Sequence, residues 1–103
     1  MIHVIVTMRI KEGRMEEFLA ACAELRPLVL QEAGCIAYDY TRDAPAPLGR
    51  PQALEADRVT LLERWESMEA LKAHLATPHM QAAGAKIKDL RASAELRFTE
   101  SIF

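Results

Sequence analysis

The hydrophobic pattern of this chain changes period several times, and the order of those changes leaves few possible folds. Residues 2–10 carry an apolar side chain at every second position, from Ile2 to Ile10, which is the period of a strand with one fully apolar face. Residues 12–32 instead carry apolar side chains three or four positions apart, which is the stripe of an amphipathic helix. We therefore predict a first strand over residues 2–10 and a first helix over residues 12–32.

The same two periods alternate along the rest of the chain. Two-residue alternation returns at Cys35–Arg42 and at Arg58–Glu66, which predicts two more strands. Ser67 caps a short helix, and Thr77-Pro78 starts another, because a hydroxyl side chain can cap a helix whose first residue is proline. A last strand is predicted over Ala92–Phe103; at ~3.4 Å per residue it would span ~40 Å and project beyond its own sheet.

Prolines and glycines mark the breaks between these elements. Gly34 ends the first helical segment, and Pro27 inside it should kink the helix or restart it in the last turn, because proline lacks a backbone donor. Prolines also interrupt residues 43–51, so this stretch cannot join a central strand and we expect a loop there.

The resulting order, β-α-β-β-α-α-β, predicts a single α+β domain over residues 1–103. Short, unknotted connections fold this order most simply as a four-stranded antiparallel sheet with the helices on one face, the ferredoxin-like arrangement. Both alternating rows of the second and third strands contain apolar or aromatic residues. We therefore expect the second face of the sheet to be covered by the sheet of another subunit, in a homodimer.

Charge and composition argue against several classes of partner. The formal net charge is -2 and the basic residues are scattered, so nothing favours nucleic-acid binding. No apolar run approaches 18 residues and the N-terminus lacks the basic region of a secretion signal, so we expect no membrane partner and a cytoplasmic location. Cys22 and Cys35 lack metal-ligand spacing and have apolar neighbours, which predicts buried free thiols and no metal site.

Ionisable side chains interrupt the apolar pattern within residues 63–80. Glu63 lies in an otherwise apolar row, so it needs a cationic partner such as Arg97 or His74, or it lines a pocket. His74 lies on the apolar face of its short helix and should point toward the sheet. His79 is second in its helix, where the positive end of the helix dipole favours a neutral imidazole that can act as a base or acceptor.

Two adjacent motifs in this segment carry a resemblance to a known family: Glu63-Arg64-Trp65-Glu66-Ser67 and Ala73-His74-Leu75-Ala76-Thr77-Pro78-His79-Met80. They resemble the antibiotic biosynthesis monooxygenase family, and in particular its small bacterial quinol monooxygenase branch. The order of elements agrees over the whole chain, as do the Lys11-Glu12-Gly13 turn and the Gln31-Glu32-Ala33-Gly34-Cys35 segment. The resemblance implies a dimeric α+β barrel with one pocket in each subunit.

The resemblance also implies a reaction and a site. Members of this branch use O2 to oxygenate hydroquinones or related polyphenols without a metal, flavin or haem cofactor, after a base removes a substrate proton. We expect His74, supported by Glu63, to be that base, with His79 as the second candidate. The expected substrate contacts are Trp65, Val6, Tyr38 and Met80. Each also has a structural interpretation: the two histidines can serve only as hydrogen-bonding groups, and the aromatic residues can belong to the core.

Two other branches and a third class of function define the alternatives. In haem-degrading members the functional positions match Val6, His74 and Gly84, and a glycine at the iron-ligand position removes the main support for haem cleavage. The isomerase branch that acts on phosphorylated autoinducer-2 has a similar Thr-Pro-His pattern, but would need cations around its pocket, for which Arg9, Lys86 and Arg97 are the candidates. A non-catalytic binding dimer would have no titrating group within reach of its ligand.

Overall fold

The computed structural model describes all of residues 1–103 and contains four strands and three helices in the predicted order. The strands are β1 (Ile2–Ile10), β2 (Cys35–Arg42), β3 (Arg58–Trp65) and β4 (Arg91–Glu100). The helices are α1 (Met15–Leu30), α2 (Met68–Leu75) and α3 (Pro78–Leu90). The predicted α+β class and element order are therefore confirmed.

The strands form one antiparallel sheet in the order β2-β3-β1-β4. Val6 on β1 lies opposite Leu61 on β3 and Leu96 on β4, so a row of side chains crosses the sheet on one face. Along β1 and β3 this row is buried against apolar side chains of all three helices, including the fully buried Phe18. Burying a side chain of this size contributes roughly 1.5–3 kcal/mol, so this layer is the core of the ferredoxin-like fold.

The first helix is shorter than the sequence predicts and runs without interruption through Pro27. It begins at Met15 rather than at residue 12 because Gly13, at a φ of +75°, turns the chain after β1. Pro27 is exposed and lies in the last turn, so it removes a single N–H donor from the hydrogen-bond ladder. Of the two outcomes predicted for Pro27, a kink or a restart, the restart is therefore wrong.

The last strand also ends earlier than predicted. β4 pairs only with β1, and Glu100 lies opposite Ile2, where β1 begins. Beyond this point there is no neighbouring strand to accept ladder hydrogen bonds, so residues 101–103 leave the sheet. Ser101 still donates its backbone N–H to the carbonyl of Met1 at 2.9 Å, and this is the last backbone bond of the chain end.

The remaining local predictions have mixed outcomes. Residues 43–57 contain no helix or strand, as their prolines predict. Both cysteines are free, as predicted. Cys22 is buried, and this burial raises the pKa of its thiol to about 11. Cys35 is only half-buried, because it starts β2 at the edge of the sheet. No helix is both long and apolar enough to cross a membrane.

Candidate functional site

Glu63 is a carboxylate buried on the helix-covered face of the sheet. It alternates with Leu61 and Trp65 along β3 and is 6% exposed. Its Oε1 accepts a hydrogen bond from the indole Nε1 of Trp65 at 3.0 Å. Burial raises the pKa of Glu63, and the Trp65 hydrogen bond opposes that rise. The prediction that Arg97 could pair with Glu63 is wrong, because Arg97 on β4 lies opposite Ile5, on the other face of the sheet.

His74 is buried between α2 and the sheet, as its helical position predicts. It is 1% exposed, and its ring packs against Trp65 with centroids 4.5 Å apart and planes inclined by 36°. The Tyr38 ring approaches it edge-on at 5.6 Å. These aromatic contacts fix the plane of the imidazole.

The principal partner of His74 is Glu32, a residue to which the sequence pattern assigned no role in the site. Nδ1 of His74 lies 3.0 Å from Oε2 and 3.1 Å from Oε1 of Glu32. The same Oε2 lies 2.8 Å from Nε2 of His79. In contrast, Nε2 of His74 is 3.9 Å from Oε1 of Glu63, beyond hydrogen-bonding distance. One carboxylate therefore joins both predicted histidines, and Glu63 lies on the far side of the His74 ring.

A tight turn between α1 and β2 brings Glu32 to the histidines. The backbone N–H of Glu32 donates to the carbonyl of Val29 at 3.0 Å, which continues the helix end into the turn. Gly34 follows at a φ of +84°, and a Cβ there would lie 2.6 Å from Cβ of Ala70 on α2. The backbone N–H of Glu66 donates to the Gly34 carbonyl at 2.8 Å. Only glycine allows the turn to pack this closely on α2.

Thr77 joins the end of α2 to the start of α3, between the two histidines. Its hydroxyl donates to the carbonyl of His74 at 2.8 Å and accepts from the backbone N–H of Met80 at 3.3 Å. Pro78 occupies the first position of α3, where no N–H is required. The predicted cap is confirmed, and it places His79 in the first turn of α3 beside Glu32.

A cavity of about 180 Å³ lies between the sheet and the helices, with a mostly apolar lining. Glu63 and His74 both line it, as do three of the four predicted substrate contacts: Val6, Tyr38 and Met80. Trp65 does not line the cavity; it is fully buried behind His74 and Glu63. Burial raises the pKa of Tyr38, so its phenol stays protonated near neutral pH.

His79 and the predicted phosphate-binding cations lie outside this cavity. His79 and Lys86 line a separate groove of about 330 Å³ between α1 and α3. Arg9 pairs with Asp57 at 3.0 Å and with Glu55. Gly84 lines the cavity but offers no side chain for a haem iron, and no group of three His, Cys, Asp or Glu side chains has the geometry of a metal site.

Comparison with known proteins identifies the family. The sequence profile of the family "Antibiotic biosynthesis monooxygenase" matches residues 1–86. The chain is similar to the probable quinol monooxygenase YgiN of Escherichia coli strain K12, with 36% identity over 90 residues that cover 85% of this chain and 86% of the relative. A protein from Shigella flexneri with the same name has the same identity and coverage.

Solved structures agree with this assignment. A protein from Caulobacter crescentus CB15 named for the same family superposes with a TM-score of 0.84 at 27% identity, covering 99% of this chain and 90% of that one. A conserved protein from Bacteroides thetaiotaomicron has a TM-score of 0.82 at 29% identity, covering 97% of this chain and 96% of that one. Because the family profile spans most of the chain, this protein belongs to the antibiotic biosynthesis monooxygenase family.

Proposed function

We propose that this chain is a cofactor-independent monooxygenase that uses His74 as a base and O2 as the oxidant on a small hydroquinone or related polyphenol. The observation that carries the proposal is the environment of the His74 ring. Nδ1 is bound to a carboxylate, while the ring itself lines an apolar cavity together with Glu63. A histidine that is held by a carboxylate at one ring nitrogen can act as a general base through the other.

The proposed reaction starts with proton transfer from a substrate hydroxyl to Nε2 of His74. The resulting oxyanion passes an electron to O2, and recombination of the two radicals forms a bond between a ring carbon and oxygen. The peroxide takes up a proton from the imidazolium and loses water, leaving a carbonyl on the ring. Overall, one oxygen atom of O2 enters the product and the other leaves as water, so no external reductant is needed.

The cavity suits a small substrate of this class. Its volume of about 180 Å³ is below the roughly 300–1,000 Å³ of pockets that hold drug-sized ligands, which favours a compact aromatic ring. Val6 and Met80 offer apolar contacts for that ring. The protonated phenol of Tyr38 can donate a hydrogen bond to the oxyanion, and the apolar lining limits the access of water to it.

Two features of the cavity argue against the alternatives. None of Arg9, Lys86 and Arg97 lines it. Arg91 is the one arginine or lysine in the lining, so the phosphate group expected for an isomerase substrate would have a single cationic partner in a cavity that also holds the Glu63 carboxylate. Glu63 and His74 do line it, so a purely passive binding pocket would bury two titratable groups without a use for them.

We also propose that the working protein is a homodimer. Apolar side chains of the sheet remain exposed in the single chain: Leu62 on the face away from the helices, Ile36 on the edge strand β2, and Leu96 and Phe98 on the edge strand β4. At the chain end, Ile102 and Phe103 are almost fully exposed. Exposed apolar side chains in this number on a small domain favour association with another subunit.

The direct test of the base is His74→Ala. Turnover of a quinol, followed by oxygen uptake, should fall by roughly 10²-fold or more, the usual scale for a positioned base, while the oligomeric state stays unchanged. In the wild type the rate should rise with pH through a single ionisation. His3→Ala is the matched control, because His3 hydrogen-bonds Ser101 away from the cavity. Normal turnover by His74→Ala together with a loss in His79→Ala would reverse the roles proposed for the two histidines.

A further inference from the structure

Glu32 is the only carboxylate that contacts both histidines of α2 and α3. Its side chain is 11% exposed, against 1% for His74 and 24% for His79, so it lies between a buried ring and one that reaches the outer groove. Its Oε2 is 3.0 Å from Nδ1 of His74 and 2.8 Å from Nε2 of His79. A carboxylate can only accept hydrogen bonds, so each of these nitrogens must carry a proton when Glu32 is ionised.

We propose that Glu32 is a positioning residue for His74: it keeps the proton on Nδ1, so that Nε2 remains free to accept the substrate proton. We further infer that His79 anchors Glu32 from the other side and does not itself meet the substrate. This inference rests on the proposed role of His74 as the base.

The contacts around the ring give the two carboxylates different roles. Nδ1 of His74 is within hydrogen-bonding distance of Glu32, whereas Nε2 is 3.9 Å from Glu63 on the cavity side. Glu63 already accepts a hydrogen bond from Trp65 at 3.0 Å. When Nε2 takes the substrate proton, the substrate becomes an oxyanion and His74 an imidazolium. The proton on Nδ1 stays on that nitrogen, and its hydrogen bond to Glu32 is kept. The negative charge of Glu32 then stabilises the imidazolium cation.

The tautomer of His74 can be observed without any assay of activity. In the wild-type protein labelled with ¹⁵N in histidine, NMR above the titration range of the histidines should show His74 with a proton on Nδ1 and none on Nε2. A spectrum with the proton on Nε2 would overturn the proposal directly. This measurement needs no variant and therefore does not depend on the folding of one.

Glu32→Gln tests the consequence for catalysis. The amide has nearly the shape of the carboxylate but no charge, so kcat should fall by about 10–10²-fold, the scale for residues that orient a reactive group, with little change in KM. The pH midpoint of kcat/KM should move to lower pH, because the imidazolium loses its anion. Glu16→Gln is the matched control, since Glu16 is an exposed carboxylate on α1.

The outcomes separate this inference from the proposed function. If Glu32→Gln leaves kcat, the pH profile and the His74 tautomer unchanged, Glu32 has no positioning role. A protein that oxygenates no quinol, but whose His74 tautomer depends on Glu32, would refute the proposed function and retain the positioning contact. His79→Gln should keep the tautomer of His74 and lose less activity than Glu32→Gln; a larger loss would overturn the anchoring role.

Discussion

Replacing Gly34 should strain the turn that carries Glu32. Gly34 has a φ of +84°, and an added Cβ would lie 2.6 Å from Cβ of Ala70. A left-handed backbone costs a non-glycine residue roughly 1–2 kcal/mol, and forcing an extra methyl into a filled space costs roughly 1–3 kcal/mol. We therefore predict that Gly34→Ala lowers the free energy of unfolding by about 2–5 kcal/mol, as measured by urea denaturation.

Variants at Gly13 and Ala70 separate the two parts of this loss, the backbone strain and the steric contact. Gly13 has a φ of +75°, but no atom lies within 4 Å of the position that a Cβ would take, so Gly13→Ala should show the backbone cost of about 1–2 kcal/mol alone. Adding Ala70→Gly to Gly34→Ala removes the colliding methyl. The double variant should recover the contact part of the loss, after allowance for the roughly 1 kcal/mol that glycine costs inside a helix.

These variants also define a clear negative result. Equal losses for Gly34→Ala and Gly13→Ala, without any coupling between Gly34→Ala and Ala70→Gly, would refute the close packing of the turn on α2. The Gly34→Ala protein should also lose turnover relative to Gly13→Ala, because a displaced turn moves Glu32 away from His74.

Two further predictions concern the buried carboxylate and the dimer. Burial raises the folded-state pKa of Glu63, so its contribution to stability is complete below the unfolded-state pKa, near 4.5, and is lost as pH rises through the higher folded value. Glu63→Gln, which never ionises, should therefore gain thermal stability relative to the wild type as the pH rises above about 4.5. The gain should be about 1.4 kcal/mol for each tenfold difference between the folded and unfolded acidity constants of Glu63, and a difference that does not change with pH would contradict this. Deleting residues 101–103 should raise the dimer dissociation constant by about tenfold or more in sedimentation equilibrium, because Ile102 and Phe103 are exposed in the single chain and available to a partner. An unchanged constant would exclude the tail from the interface, and a wild-type monomer at micromolar concentration would refute the dimer itself.

The fold could be predicted from sequence because its determinants are local. The alternation in β1 and the Thr77-Pro78 start of α3 each depend on a few neighbouring residues, and both appear as predicted. The end of β4 could not be predicted in this way, because it is set by the point where its partner strand begins, opposite Ile2.

The site was predicted only in part because its key contact is not local. The burial of Glu63 and His74 follows from their positions in a strand and a helix, where periodicity assigns each a face. Glu32 lies in a turn, which has no period, and its partners are 42 and 47 residues further along the chain. The only signal for it was the resemblance of residues 31–35 to the family, which gave no role to the carboxylate.

Oxygen-isotope labelling tests the proposed chemistry most directly. The purified chain would be incubated with a small hydroquinone and ¹⁸O2 in the presence of a metal chelator, and the product analysed by mass spectrometry. Our account predicts one labelled atom in the quinone product and the other in water, with both formed roughly 10²-fold or more slowly by His74→Ala. An unlabelled product, or label recovered only in hydrogen peroxide, would contradict it.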